Sequence, residues 1–160
     1  MKNITEKGLD TIDAKILRAP VANAKISTAD LAKSVGLSTS PCWQRVRRLE
    51  ADGYITGYAA KLNQYKLGAT EIVFVEVSLE RHNQDALLGF GSKIRSLEEV
   101  LEVFLTSGEH DYLLKVAVTG TRGYEKFLTN KLSKIPGIRQ TRSSFALRCL
   151  KNEAVFIPQE

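Results

Sequence analysis

Cysteine and histidine are scarce in this sequence, with two of each among 160 residues. Cys42 and Cys149 match no metal-ligand spacing and imply no disulfide framework. His82 and His110 stand alone, so no His/Cys cluster is available to hold zinc. No apolar run approaches the length of a membrane span. The segment Met1-Lys2-Asn3-Ile4-Thr5-Glu6-Lys7 lacks the apolar stretch of a secretion signal. These absences point to a cytoplasmic protein with no membrane partner and no cofactor. Enzymatic chemistry lacks a foothold as well, since no nucleophile–base pair or carboxylate dyad can be assembled from local motifs.

What is present is an ordinary globular composition, 43% hydrophobic and 26% charged, long enough for one domain or two small ones. The net charge is a modest +5, but it is unevenly placed. Residues 1–62 carry ten Lys/Arg against six Asp/Glu, whereas residues 63–160 carry thirteen against twelve. A basic excess in the first part suits contact with phosphates.

Leu9, Ile12, Ile16 and Leu17 recur at helical spacing, which predicts a first helix from about Asp10. Pro20 is expected to end it early, because proline disturbs the preceding turn and restricts Ala19. Ser27 or Thr28 caps a second helix with the apolar stripe Leu31, Ala32 and Val35, and Gly36 supplies a turn. Ser38 to Leu49 then reads as a capped third helix. At about 100° per residue, Thr39, Cys42, Val46 and Leu49 fall on one side, facing the first two helices. Ser40, Gln44 and Arg48 centre the other side, flanked by Pro41, Arg45 and Arg47. Pro41 is tolerated in a first turn, whose amides have no intrahelical partner. Two short helices around a glycine turn, the second of them basic, make a helix-turn-helix and suggest a reader of duplex DNA.

Ser40 and Gln44 are best placed for base edges, since glutamine pairs bidentately with adenine. Arg45, Arg47 and Arg48 suit phosphates, although Arg45 is equally suited to an internal tie with Glu50 or Asp52. Trp43 lies at the border between the two sides, where packing against a neighbouring element is favoured over DNA contact. Cys42 faces inward, which raises its thiol pKa, blocks access and argues against redox sensing. The DNA-binding set is therefore Thr28, Ser38, Thr39, Ser40, Pro41, Gln44, Arg45, Arg47 and Arg48.

Tyr54 to Leu62 reads as a small hairpin, or wing, and Asn63 to Gly68 closes a linker. The domains are expected at 1–62, with the helix-turn-helix at about 28–47, and at 71–160, with a hinge at 63–70. Beyond the hinge the period changes. Ile72–Leu79 is a strand, Gln84–Ile94 a helix, Val100–Leu105 and Tyr112–Val118 two strands, Tyr124–Leu132 a helix and Thr141–Leu150 a last strand. The order βαββαβ is ferredoxin-like, an antiparallel sheet with two helices on one face. Nothing in the chain covers the other face, and a second subunit is the simplest cover.

Four motifs carry a resemblance. They are Leu9-Asp10-x-x-Asp13-x-x-Ile16-Leu17; Leu37-Ser38-x-x-Pro41-Cys42-x-x-Arg45-Val46-x-Arg48-Leu49-Glu50; Gly53-x-Ile55-x-Gly57-Tyr58; and Ser107-Gly108-x-x-Asp111-Tyr112-Leu113-Leu114. In this order and at these separations the chain resembles the Lrp/AsnC, or feast/famine, transcription regulators from about Leu9 to Lys151. The resemblance implies an α+β chain, with an N-terminal winged helix-turn-helix joined to a C-terminal ferredoxin-like βαββαβ amino-acid-binding (RAM/SAM) domain. It implies a DNA-binding regulator that forms homodimers and then tetramers or octamers, with an amino-acid effector held between dimers near the strand-turn-strand loop. Pro20 departs from the usual leucine, and Asn63-Gln64 from a frequent Asn-Pro.

The expected effector set is Ser107, Gly108, Glu109, His110, Asp111, Thr141, Ser143 and Ser144. Asp111 is suited to an α-ammonium group or to ordering the turn, and Gly108 lets a ligand approach the backbone. His110 either faces the ligand or titrates without consequence. The hydroxyls of Thr141, Ser143 and Ser144 serve a ligand or merely follow strand alternation. A DNA-compacting protein without an effector shares every feature of the first part.

Overall fold

The computed structural model describes residues 8–80, 84–152 and 157, so His82 and the segment Met1–Lys7 lie outside the described residues. The chain divides into two compact units, one reaching Lys61 and the other spanning Leu62–Leu150. No helix among the described residues is long and apolar enough to cross a membrane.

The first unit holds α1 (Thr11–Ala22), α2 (Thr28–Val35) and α3 (Thr39–Ala51). Asp10 caps α1 reciprocally with Asp13: the Asp13 amide donates to the Asp10 carboxylate at 2.7 Å, and the Asp10 amide to the Asp13 carboxylate at 3.3 Å. Pro20 does not end the helix, contrary to expectation. It stands two residues before the helix ends at Ala22, and the Asn23 amide still reaches the Ala19 carbonyl at 2.9 Å. Ser27, rather than Thr28, caps α2 by accepting from the Asp30 amide at 3.1 Å. Gly36 ends α2 at φ 74°, the left-handed conformation that glycine adopts without a Cβ penalty. Ile16, Leu31, Ala32, Cys42 and Leu49 form the buried core, ringed by Leu9, Ile12, Leu17, Val35, Val46 and Ile55.

The hairpin expected over Tyr54–Leu62 does not form, for no strand is found there. Two short strands with no third partner gain too little to hold a ladder. The segment is tied instead by the Ile55 amide to the Leu49 carbonyl at 3.1 Å and by the Tyr58 hydroxyl to Glu50 at 3.0 Å.

The second unit contains β1 (Glu71–Leu79), α4 (Gln84–Ile94), β2 (Val100–Leu105), β3 (Tyr112–Val118), α5 (Gly120–Asn130), a 3₁₀ turn (Leu132–Lys134) and β4 (Ile138–Phe145). The sheet runs β2-β3-β1-β4, and every pairing is antiparallel. Alternation assigns its faces. Val73, Val75, Val77 and Leu79 of β1 join Tyr112, Leu114, Val116 and Val118 of β3 beneath Phe90 and Ile94 of α4 and Tyr124 and Phe127 of α5. The opposite face carries Phe74 and Phe104, 39% and 49% exposed.

The last strand is displaced from the expected Thr141–Leu150 to Ile138–Phe145. Its partner β1 begins at Glu71, and the Ala146 amide bonds the Ile72 carbonyl at 2.8 Å, close to that start. Leu147 is accordingly fully exposed.

Leu114 is fully buried in a central strand. Leu114→Ala is expected to lower the stability of this unit by about 2–5 kcal/mol, read as a fall in the denaturant midpoint at unchanged slope.

Candidate nucleic-acid interface and ligand site

Helix α3 is anchored by Cys42 and Leu49, both fully buried, and burial pushes the Cys42 thiol pKa up. Val46 is half-buried beside them, whereas Thr39, placed on this side by angle, is exposed at the helix start. Ser38, Ser40, Pro41 and Gln44 are also exposed, and Thr28 is half-buried at the start of α2. The Ser38 side chain makes no capping bond, so its hydroxyl is not spent on the helix terminus.

The arginines part company. Arg45 was equally suited to Glu50 or Asp52, but its guanidinium bonds Asp10 at 2.6 Å and Asp13 at 2.8 Å. Arg48, expected to point outward, donates to the other oxygen of Asp13. Asp13 is only 1% exposed, so its carboxylate sits inside the unit with a guanidinium on each oxygen. The sequence signal was present in matched spacings: Asp10-x-x-Asp13 and Arg45-x-x-Arg48 each put two like charges on one helix face, a turn apart. Arg47 remains outward, its side chain 65% exposed and 3.7 Å from Glu50. Its guanidinium lies over the Trp43 ring, 5.3 Å from the centroid. Trp43 itself is 51% exposed, so the packing role expected for it is not realised within this unit.

In the second unit, residues 106–111 connect β2 to β3. The Thr106 amide donates to the Asp111 carbonyl at 2.9 Å, and the Thr106 hydroxyl to the His110 carbonyl. Asp111 orders the turn. Its amide bonds the Val77 carbonyl at 2.9 Å, and its carboxylate accepts from the Leu79 amide at 2.7 Å, binding the turn to the end of β1.

Beside this turn a cleft of about 230 Å³ is lined by Glu76, Ser78, Glu109, His110, Arg139, Gln140 and Arg142. His110 Nδ1 stands 3.7 Å from the Glu76 carboxylate. Of the expected effector residues, the cleft thus gathers Glu109 and His110. Ser107 and Gly108 are exposed on the same connection without lining it. Thr141, Ser143 and Ser144 are not all on one face, because alternation splits them. Thr141 and Ser143 pair with Val77 and Val75 on the helix-covered face, where Ser143 bonds the Tyr124 hydroxyl. Ser144 pairs with Phe74 on the open face. Arg139 and Arg142 were missed; the signal was the basic, polar run Arg139-Gln140-Thr141-Arg142 at the start of the last strand. The cleft offers carboxylates and guanidiniums side by side, a bipolar lining that complements a zwitterion.

A helix-turn-helix with an exposed, polar and basic second helix, carried in one chain with a ferredoxin-like ligand fold, defines a regulator of transcription that binds DNA. Residues 9–56 match the winged helix-turn-helix DNA-binding model, and residues 72–156 match the Lrp/AsnC ligand binding domain. The leucine-responsive regulatory protein of Klebsiella pneumoniae is 43% identical over 145 residues, covering 91% of this chain and 88% of the relative. The Bkd operon transcriptional regulator of Pseudomonas aeruginosa is 45% identical, covering 88% and 92%. A crystal structure of a Neisseria meningitidis transcriptional regulator in complex with L-methionine superposes with a TM-score of 0.89 at 33% identity, covering 94% and 97%. The chain belongs to the Lrp/AsnC family of transcriptional regulators. Its function is accordingly amino-acid-responsive DNA binding rather than catalysis.

The Asp10 carboxyl is held below the usual carboxylate range, first by the Asp13 amide and then by Arg45. A depressed folded value means stability that is present above about pH 4 and is lost as pH falls through the folded pKa. Asp10→Asn keeps a good cap and is expected to flatten the acid limb of the melting temperature against pH; an unchanged limb would contradict the pairing. Arg45→Ala leaves buried Asp13 with a single guanidinium and is expected to cost roughly 1–3 kcal/mol, measured by thermal melting.

Proposed function

We propose that this regulator reads duplex DNA with the outward side of α3, and that an amino acid held at the cleft beside residues 106–111 governs that reading by shifting assembly. The carrying observation is the bipolar lining of Glu76, Glu109, Arg139 and Arg142 in a single cleft. A ligand carboxylate meets the arginines and its ammonium group the glutamates. Leucine and methionine, named with the relatives, are the first candidates. Ser40 and Gln44 address base edges, and Ser38, Thr39 and Arg47 address phosphate and sugar. Arg45 and Arg48 contribute by holding the helix.

Assembly begins with the open sheet face. Phe74 and Phe104 lie exposed there, and packing that face on a second copy buries both, giving a homodimer. Glu76 and Arg142 stand on that same face, so the cleft lies at the rim of the dimer contact, where dimers meeting as tetramers or octamers enclose the effector, and the protein works in the cytoplasm, where its DNA is. A ligand shifts such an equilibrium only through different affinity for its two states.

Titrating L-leucine and L-methionine against the native chain is expected to change oligomer size or DNA affinity, and Arg142→Ala to abolish that response while DNA binding survives. No response of the native chain to any of the twenty amino acids would leave a DNA-compacting protein as the better reading. Gln44→Ala should relax sequence preference at an unchanged salt slope, whereas Arg47→Ala should lower the salt slope by about one.

A further inference from the structure

Resting on the DNA-binding reading, we infer that Trp43 is a specificity-determining residue whose indole packs against a thymine methyl group in the major groove, held there by Arg47. Ser40, Trp43, Gln44 and Arg47 follow the spacing i, i+3, i+4, i+7 and so form one stripe along α3. The ion pairs to Asp13 swing Arg45 and Arg48 toward α1, which leaves this stripe as the outward centre of the helix. Trp43 sits in the first half of α3, the half that approaches base edges when such a helix enters the groove.

An indole half exposed on a basic helix has no part in the core of its own unit. The Arg47 guanidinium lies over the ring and restrains it by a cation–π interaction. The neighbours on the stripe are hydrogen-bonding or cationic, so the surface fits a polyanion with apolar points on it. In the major groove the thymine C5-methyl is that apolar point. A hydroxyl, an amide and an indole on one stripe then read both polar and methyl features of an A·T-containing half-site.

Trp43 is the sole tryptophan, so the intact native protein reports on it directly. The probe is a duplex recovered by this protein from a random-sequence pool. Adding it is expected to shift or quench tryptophan emission. Replacing single thymines by deoxyuridine, which removes only the methyl, should weaken binding by about fourfold at one position per half-site, the worth of a buried methyl-sized group. Trp43→Ala should lose roughly tenfold in affinity, within the range of an aromatic–base contact, and become indifferent to that replacement, with an unchanged melting temperature. Trp43→Phe should recover part of both.

Unchanged emission on binding, together with full affinity and undiminished deoxyuridine sensitivity in Trp43→Ala, would overturn the inference while DNA binding stands. Emission that changes with protein concentration alone would overturn it too, by assigning the indole to a contact between copies. Failure of the native protein to bind any recovered duplex would remove the DNA-binding reading itself.

Discussion

One buried carboxylate organises the first unit. Asp13 is almost wholly withdrawn from water, and a bare charge in that position is strongly disfavoured. It is tolerated because Arg45 and Arg48 each place a guanidinium on one of its oxygens, while Asp10 shares Arg45 and caps the same helix. A pair of charges of this kind adds little net stability compared with apolar packing, but it is unforgiving of other geometries. The apolar core of Ile16, Leu31, Cys42 and Leu49 sets how closely α3 approaches its neighbours. The carboxylate ties Arg45 and Arg48 of that helix to α1.

The second unit relies on a different constraint, the two-residue alternation of its strands. The strongest part of its sequence signal was the run from Ile72 to Leu79, and that run did become a central strand. Alternation also separates a set of hydroxyls that are close in sequence. Ser143 and Ser144 are adjacent in the chain and lie on opposite faces of the sheet, one bonded to Tyr124 and the other beside Phe74.

The elements were largely legible in the sequence because each carries its own periodicity: the three helices of the first unit, the two of the second, and three of the four strands were found within a few residues. What was not legible depended on partners distant in the chain. The end of β4 follows from where β1 begins, some seventy residues earlier. The hairpin after Gly53 had the right residues but no further strand to lean on. Arg48 read as a phosphate contact, and Arg45 as a phosphate contact or a partner of Glu50 or Asp52, whereas α1 supplies the partners of both from more than thirty residues away. Pro20 misled for the opposite reason, since a local rule was applied where only the last turn of a helix was at stake. The cleft was found by half: Glu109 and His110 lie on the connection the motif marked, whereas Arg139 and Arg142 arrive through strand pairing.

The irregularity between Ser78 and Leu79 on one side and Gln140 and Ile138 on the other has a consequence for this division. In an unbroken ladder Arg139 would stand opposite Leu79, whose side chain belongs to the core. The extra residue shifts the phase of β4 by one, so that Ile138 takes the place opposite Leu79 and packs against the core. Arg139 is released to the cleft. A single inserted position thus lets one short strand serve two solvents, oil at its first residue and water at its second.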